Sequence, residues 1–192
     1  MYYAHTDDPD TPMDETLEAF NRLVQKGTVH ALGSSNFDTW RLAEANLRAQ
    51  ANGQTPYTVM QQKFSYLHPR FGTAPKYTFN ESVNRERLRF LCNKNMPLVA
   101  YSCLCKGAYE NPERLPDEYE GGARLEFIRT MAQEKGVNPS ALVVAWLANL
   151  HRCEGFPRVI PLFSASPNHL RQNLQGLELS LTDEELALLN NV

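Results

Sequence analysis

The sequence is poor in cysteine and has none in the spacing of a metal site. Its four cysteines, Cys92, Cys103, Cys105 and Cys153, form no Cys-x-x-Cys pair, which argues against a zinc site and against a disulfide framework. Cys103 and Cys105 would lie on one side of an extended segment, where packing thiols are the expected interpretation. We therefore expect no metal ligands in this chain.

Long hydrophobic runs and an excess of basic residues are also missing. No apolar run approaches the roughly 20 residues of a membrane span, and the acidic start does not resemble a secretion signal. The chain has 19 Lys and Arg against 22 Asp and Glu, a net charge of −3, which gives no case for nucleic acid or an anionic membrane as a partner. We expect one cytoplasmic domain over residues 1–192, since 42% hydrophobic residues suffice for a core.

The first stretch, residues 2–37, has the pattern of a βαβ unit. Residues 2–4 predict a short strand that runs out at His5. Thr11 as N-cap and Pro12 at the first helical position predict the start of a helix, which Gly27 would end. Apolar residues recur within it at helical spacing, so one side of the helix should face a sheet.

Small polar residues follow the second strand of this unit, predicted over residues 29–32. Ligands bind at the carboxyl ends of strands in parallel α/β folds. His5 after the first strand, and Ser35 and Asn36 after the second, should therefore point into one site.

The remaining chain repeats the alternation of strand and helix. Further strands are predicted over residues 58–61, 97–102 and 158–161, and helices over 38–52, 81–93, 123–135, 139–151, 164–173 and from a capping box at 180–185. Leu47 should lie on the inner side of the helix over 38–52. Asn138 should cap the helix over 139–151, which is apolar nearly all round and should be buried. Regular alternation predicts a parallel α/β sheet with helices outside it. Eight such units close a barrel of about 250 residues, whereas five do not close one. The loop over residues 64–77 is long enough to suggest substrate selection.

These motifs carry a resemblance to a known family. The histidine after the first strand and the GSSNF turn after the second resemble the middle of an aldo-keto reductase, and later motifs agree in order across essentially all 192 residues. The resemblance implies a partial (β/α)8 TIM barrel that holds strands 4 to 8 with their helices, the first three strands being absent. It also implies NADP as cofactor, with NAD possible because Phe163 and His169 stand where many members place a basic side chain.

The resemblance assigns most polar strand ends to cofactor binding. It implies that Ser35, Asn36 and Gln61 hold the nicotinamide carboxamide, that Tyr101 stacks on the ring, that Ser102 and Leu104 lie along the pyrophosphate, and that Ser164, His169, Gln172 and Asn173 receive the adenosine end. Taken singly, each residue has an ordinary alternative: a strand-end histidine is often structural, a Ser-Asn pair is usually a helix cap, and a tyrosine in PLVAYS is usually core.

The resemblance identifies fewer catalytic residues than cofactor-binding residues in this chain. Of the family's four catalytic positions, this chain matches only the histidine that orients the carbonyl, His5, because the aspartate, tyrosine and lysine come from the opening strands. We expect an NAD(P)H-dependent oxidoreductase that reduces a small-molecule aldehyde or ketone, impaired as an isolated chain. The alternatives are a non-catalytic nucleotide-binding module and a non-functional remnant. As protein partners we expect either a second copy of this chain or another chain that supplies the missing half of the barrel.

Overall fold

Five parallel strands form one sheet in the computed structural model, which describes residues 1–73, 81–163 and 166–192. The strands are β1 (Tyr2–Ala4), β2 (Leu32–Ser35), β3 (Tyr57–Lys63), β4 (Leu98–Tyr101) and β5 (Val159–Pro161). They pair in chain order, β1-β2-β3-β4-β5, and every pair is parallel. The predicted parallel sheet is confirmed, and all carboxyl ends lie at one edge.

Seven α-helices lie within the described residues. They are α1 (Met13–Gln25), α2 (Thr39–Ala51), α3 (Arg85–Asn93), α4 (Gly122–Glu134), α5 (Pro139–Asn149), α6 (Pro167–Glu178) and α7 (Asp183–Asn191). None of these described helices is long and apolar enough to cross a bilayer. As predicted, the Asn138 side chain caps α5, which is buried nearly all round, and Thr182 and Glu185 form the capping box of α7.

The two faces of the sheet differ in burial. On one side, here called the covered face, the side chains are enclosed, among them Ala4, Leu32, Met60, Leu98, Ala100 and Val159. The other side, the open face, carries Tyr3, Gly33, Val59, Gln61, Val99, Tyr101 and Ile160, and several of these are partly exposed. Strands that follow one another in order place successive helices on the same side, which accounts for this asymmetry. Only glycine fits at position 33, since a Cβ there would lie 2.5 Å from the Tyr3 ring.

Some predicted boundaries were wrong for local reasons. The second strand covers Leu32–Ser35 and not residues 29–32, because the Thr28 and Val29 amides still donate to Leu23 O and complete the end of α1. Thr11 is not the N-cap of α1. Its hydroxyl donates to Asp8 Oδ2 at 2.7 Å instead.

The third helix and the inner side of α2 also differ from prediction. Helix α3 begins at Arg85 and not at residue 81, because the Asn84 side chain accepts from the Arg87 amide while the Val83 amide donates to Lys63 O. Leu47, expected to face inward from α2, is exposed. The predicted long loop over 64–77 lies partly outside the described residues.

Candidate functional site

Asn36 is the centre of a hydrogen-bond network at the carboxyl edge of the sheet. Its backbone has φ 57°, a left-handed conformation that asparagine tolerates better than most residues. Its side-chain amide donates to His5 O at 2.9 Å and to Ser35 Oγ at 3.1 Å, and its Oδ1 accepts from the Tyr101 hydroxyl at 2.7 Å. The structure thus brings together four of the sequence-predicted site residues.

His5 takes part in this network through its backbone and not through its imidazole. His5 contributes its backbone oxygen to Asn36, while the side chain is exposed and lines a cavity of about 330 Å³ next to β1. Asp7, in the loop that follows His5, forms an ion pair with Arg41 of α2. The start of the loop after β1 is therefore held at two points, at His5 by Asn36 and at Asp7 by Arg41.

Two adjacent glutamines of β3 serve different faces of the sheet. Gln61, predicted from the sequence, lies partly exposed on the open face, where it pairs in register with Ser35. Gln62 is buried on the covered face. Its Oε1 accepts from the backbone N–H of Asn36 at 3.0 Å, and its Nε2 donates to Glu81 O at 2.7 Å. Sequence reasoning missed this role of Gln62, although a buried polar doublet at a strand end was the available signal.

Arg87 is a buried cation beside the network that the sequence did not reveal. Its side chain is 4% exposed and donates to Phe37 O at 3.3 Å. Burial lowers its pKa, and Glu81 and Asp38 oppose that shift. Burial also raises the pKa of Tyr101, while the charge of Arg87 acts in the opposite direction. An arginine in a charged helix normally predicts a solvated face, so no sequence signal singled it out.

Lys63 joins the loops that follow β3 and β4. Its ammonium lies 2.5 Å from Glu118 Oε1 and 5.1 Å from the centre of the Tyr119 ring. Backbone hydrogen bonds reinforce the contact, from Arg70 N to Glu118 O at 2.8 Å and from Glu120 N to His68 O at 3.0 Å. Lys63 pairs in register with Tyr101, so the ion pair between Lys63 and Glu118 lies next to the Asn36 network.

A cavity of about 740 Å³ adjoins the network and is here called the α6 cleft. Five predicted cofactor residues line it, namely Ser102, Leu104, His169, Gln172 and Asn173. Lys106 and Arg114 also border it and add two cationic side chains. Ser102, which lines the cleft, directly follows Tyr101 of the Asn36 network. Ser164, the remaining predicted residue, lies outside the described residues.

Helix α6 is held close to α5. A Cβ at Gly176 would lie 2.1 Å from Ala141 O, so the two backbones meet where only glycine fits. Asn173, one turn earlier on the same side, is 6% exposed. The cleft wall that carries Asn173 is therefore rigidly placed.

The thiols near the cleft are buried and unreactive. Burial raises the pKa of Cys103 to about 12, and it raises the pKa of Cys105 as well. No cluster of His, Cys, Asp and Glu suited to a metal ion occurs among the residues the structure describes.

Comparisons with known proteins point to one family. The family model described as "Aldo/keto reductase family" matches residues 1–192. The chain is 28% identical over 205 residues to aldo-keto reductase ausK of Aspergillus calidoustus, covering 100% of this chain and 49% of the relative. It is 27% identical over 195 residues to norsolorinic acid reductase of Aspergillus flavus, covering 97% of this chain and 46% of the relative. The chain spans about half the length of these relatives.

Solved structures agree with the fold. A thermostable aldo-keto reductase in complex with the inhibitor epalrestat matches with a TM-score of 0.71 and 25% identity, over 98% of this chain and 58% of that chain. An aldo/keto reductase from Klebsiella pneumoniae in complex with NADP and acetate matches with a TM-score of 0.67 and 25% identity, over 99% of this chain and 56% of that chain.

Proposed function

The chain belongs to the aldo/keto reductase family, and we propose that it forms the cofactor-binding part of an NAD(P)H-dependent oxidoreductase that reduces a small aldehyde or ketone. In this proposal β1 to β5 are strands 4 to 8 of a (β/α)8 barrel. The chain-order parallel sheet supports the assignment, because each strand of such a barrel pairs with the next along the chain. The open face would then line the barrel interior.

One observation carries the proposal. The Asn36 network joins the ends of β1, β2, β3 and β4, and Ser102, the residue after Tyr101 of the network, lines the α6 cleft. Ligand sites in parallel α/β folds lie at this edge of the sheet. Of the residues that the resemblance assigns to the cofactor, Ser35, Asn36 and Tyr101 lie in the network, and Ser102 and Asn173 line the cleft.

The residues present fit a nicotinamide dinucleotide. Gln61 and Tyr101 both lie on the open face and are partly exposed. The Gln61 amide can therefore hydrogen-bond the nicotinamide carboxamide, and the Tyr101 ring can stack on the nicotinamide ring. The cleft volume falls in the usual range of about 300–1,000 Å³ for small-molecule sites. Lys106 and Arg114 suit the phosphates. When bound, the cofactor supplies the hydride.

His5 would act on the carbonyl substrate. A carbonyl that accepts hydride at carbon also needs a polar group at oxygen, and a histidine at a strand end can donate a hydrogen bond there. The His5 side chain is exposed, and its backbone oxygen accepts from Asn36 of the network. Lys63 and Glu118 would form one wall of the substrate entrance by fastening the two loops together.

Titration of the chain with NADPH and with NADH tests the proposal. A ligand that binds only the folded state raises the melting temperature, so both nucleotides should stabilise the chain. NADPH should be favoured only modestly, because Phe163 and His169 provide no strong cation for the extra phosphate. A folded chain that binds neither nucleotide in calorimetry would contradict the proposal. Binding without any reduction in a complete barrel would instead support the nucleotide-binding module.

A further inference from the structure

A second large cavity lies away from the Asn36 network. It has a volume of about 870 Å³ and is enclosed by the loop after β3, by α3, by Trp146 of α5 and by the end of α7. We call it the α3 cavity. Among the described residues it shares no lining residue with the α6 cleft, and none comes from the edge strands β1 and β5. It is therefore a separate site that does not depend on what pairs with the edges of the sheet.

Aromatic and aliphatic side chains form one side of this cavity. They are Phe64, Leu67, Leu88, Trp146 and Phe156. Trp146 is fixed in place: its indole N–H donates to Asn190 Oδ1 at 2.9 Å, and Tyr66 packs edge-on against it at 5.1 Å. The volume matches that of ordinary small-molecule sites, which combine such an apolar lining with a few polar groups.

The charged groups of the cavity are mainly cationic. Arg85 and Arg89 stand four residues apart on α3, and neither forms an ion pair within the described part of the chain. Like charges at this spacing repel each other and weaken a helix by a few tenths of a kcal/mol. Among the described lining residues Glu154 is the one carboxylate. An anion placed between the two arginines would remove this repulsion.

Arg124 adds a third cationic side chain to the lining, and His68 lies in the same cavity. Arg124 donates to Tyr66 O at 2.9 Å and Val192 O at 2.7 Å, and its guanidinium lies 4.1 Å from the centre of the Tyr66 ring. Burial lowers the pKa of His68, and Arg124 lowers it further, while Glu120 acts in the opposite direction. Arg124 and Glu120 therefore act on the pKa of His68 in opposite directions, with burial the larger cause.

We propose that the α3 cavity binds an organic anion with an aromatic body and a carboxylate. Arg85 and Arg89 hold the carboxylate through charge-assisted hydrogen bonds, and the ring system lies against Phe64 and Phe156. The ring of Phe64 is 5.8 Å from that of the buried Trp146, so the ligand lies near the indole. This binding does not require nicotinamide cofactor, so it stands apart from the function proposed above.

Trp146 fluorescence tests the proposal directly. The other tryptophan, Trp40, is exposed on α2 and is removed by Trp40→Phe. In that background 2-naphthoate should quench Trp146 saturably and bind about tenfold more tightly than the neutral 2-naphthalenemethanol, since one charge-assisted contact corresponds to about that factor. Arg85→Gln with Arg89→Gln should remove most of this difference. The matched control, Arg22→Gln with Arg48→Gln, replaces two exposed helical arginines elsewhere and should leave naphthoate binding unchanged.

A second measurement keeps the test independent of fluorescence. An anion in the cavity stabilises the charged imidazole, so saturation with 2-naphthoate should raise the pKa of His68 in an NMR titration. Circular dichroism establishes that each variant is folded. Equal naphthoate affinity in the two double variants would overturn the proposal. An unchanged His68 pKa at saturation would do so as well.

Discussion

The Tyr101 hydroxyl donates a 2.7 Å hydrogen bond to Asn36 Oδ1 and so links the end of β4 to the turn after β2. Strand β3 lies between these two strands, and Gln62 of β3 accepts from the backbone amide of Asn36. Three neighbouring strand ends are thus connected through a single asparagine. A cofactor that touches Asn36 would meet a site whose geometry is already fixed.

Replacing Tyr101 by Phe should lower the free energy of unfolding by about 1 kcal/mol, the usual net value of one hydrogen bond. The aromatic ring remains, so the change removes only the hydroxyl that donates the hydrogen bond to Asn36 Oδ1. Urea denaturation measures the effect. Tyr3→Phe is the matched control, because Tyr3 also lies partly exposed on the open face. Equal losses in the two variants would show that the Tyr101 hydrogen bond does not stabilise the fold.

Asn173→Ala should weaken NADPH binding by about 1 kcal/mol or more, the scale of one lost hydrogen bond. Asn173 lines the α6 cleft from a buried position on α6, so a bound nucleotide would meet a side chain that cannot turn away. Isothermal titration calorimetry gives the affinity. Gln175→Ala, at an exposed position of the same helix, should bind NADPH like the wild type. If Asn173→Ala also binds like the wild type, the inferred adenosine end of the site is incorrect.

His68 should make the fold less stable in mild acid. Its folded-state pKa is lowered from about 6.5, first by burial and then by Arg124. A lowered pKa contributes stability that is present above the unfolded-state value and is lost as the pH falls through the folded-state value. Urea denaturation between about pH 7 and pH 5 should therefore show a steeper loss for the wild type than for His68→Gln. A parallel decline in both proteins would contradict this account.

The open face of the sheet should promote self-association of the isolated chain. Ile160 projects from this face at the edge strand β5 and is 47% exposed. An apolar side chain on an unpaired edge invites pairing with another copy, and a charge there opposes it. Ile160→Lys should reduce the apparent mass in size-exclusion chromatography with light scattering. Leu188→Lys, at an exposed position on α7, should not.

The regular elements could be predicted because each depends on local pattern. The parallel order of five strands followed from the alternation of strand and helix, and Asn138 and Thr182 were recognisable caps. The second strand was misplaced by three residues, because the sequence does not reveal that Thr28 and Val29 remain hydrogen-bonded to the end of α1. Boundaries of this kind depend on which backbone amides are already in use.

Some of the site residues could be predicted from the sequence, and others could not. Asn36 could be proposed from its place at a strand end and Tyr101 from the family resemblance, and the structure joins them. Arg87 and Lys63 could not, because a buried arginine in a charged helix and a lysine paired with Glu118 from a distant loop become visible only in three dimensions. Long-range partners of charged side chains leave no periodic signal in a sequence.

Turnover distinguishes the enzyme from the binding module. Hydride transfer to a carbonyl produces an alkoxide that needs a proton, and general acid catalysis contributes about 10² to 10⁴ in rate. The proposed function assigns a catalytic role to His5 alone among residues 1–192, so the chain by itself should oxidise NADPH very slowly with a simple aldehyde. Fusing the first three barrel strands of a family member ahead of Tyr2 should raise the rate by about this factor. His5→Ala in the fusion should lower it again, whereas His151→Ala, at an exposed position beyond α5, should not. Rapid NADPH oxidation by the chain alone would show that another of its residues supplies the proton.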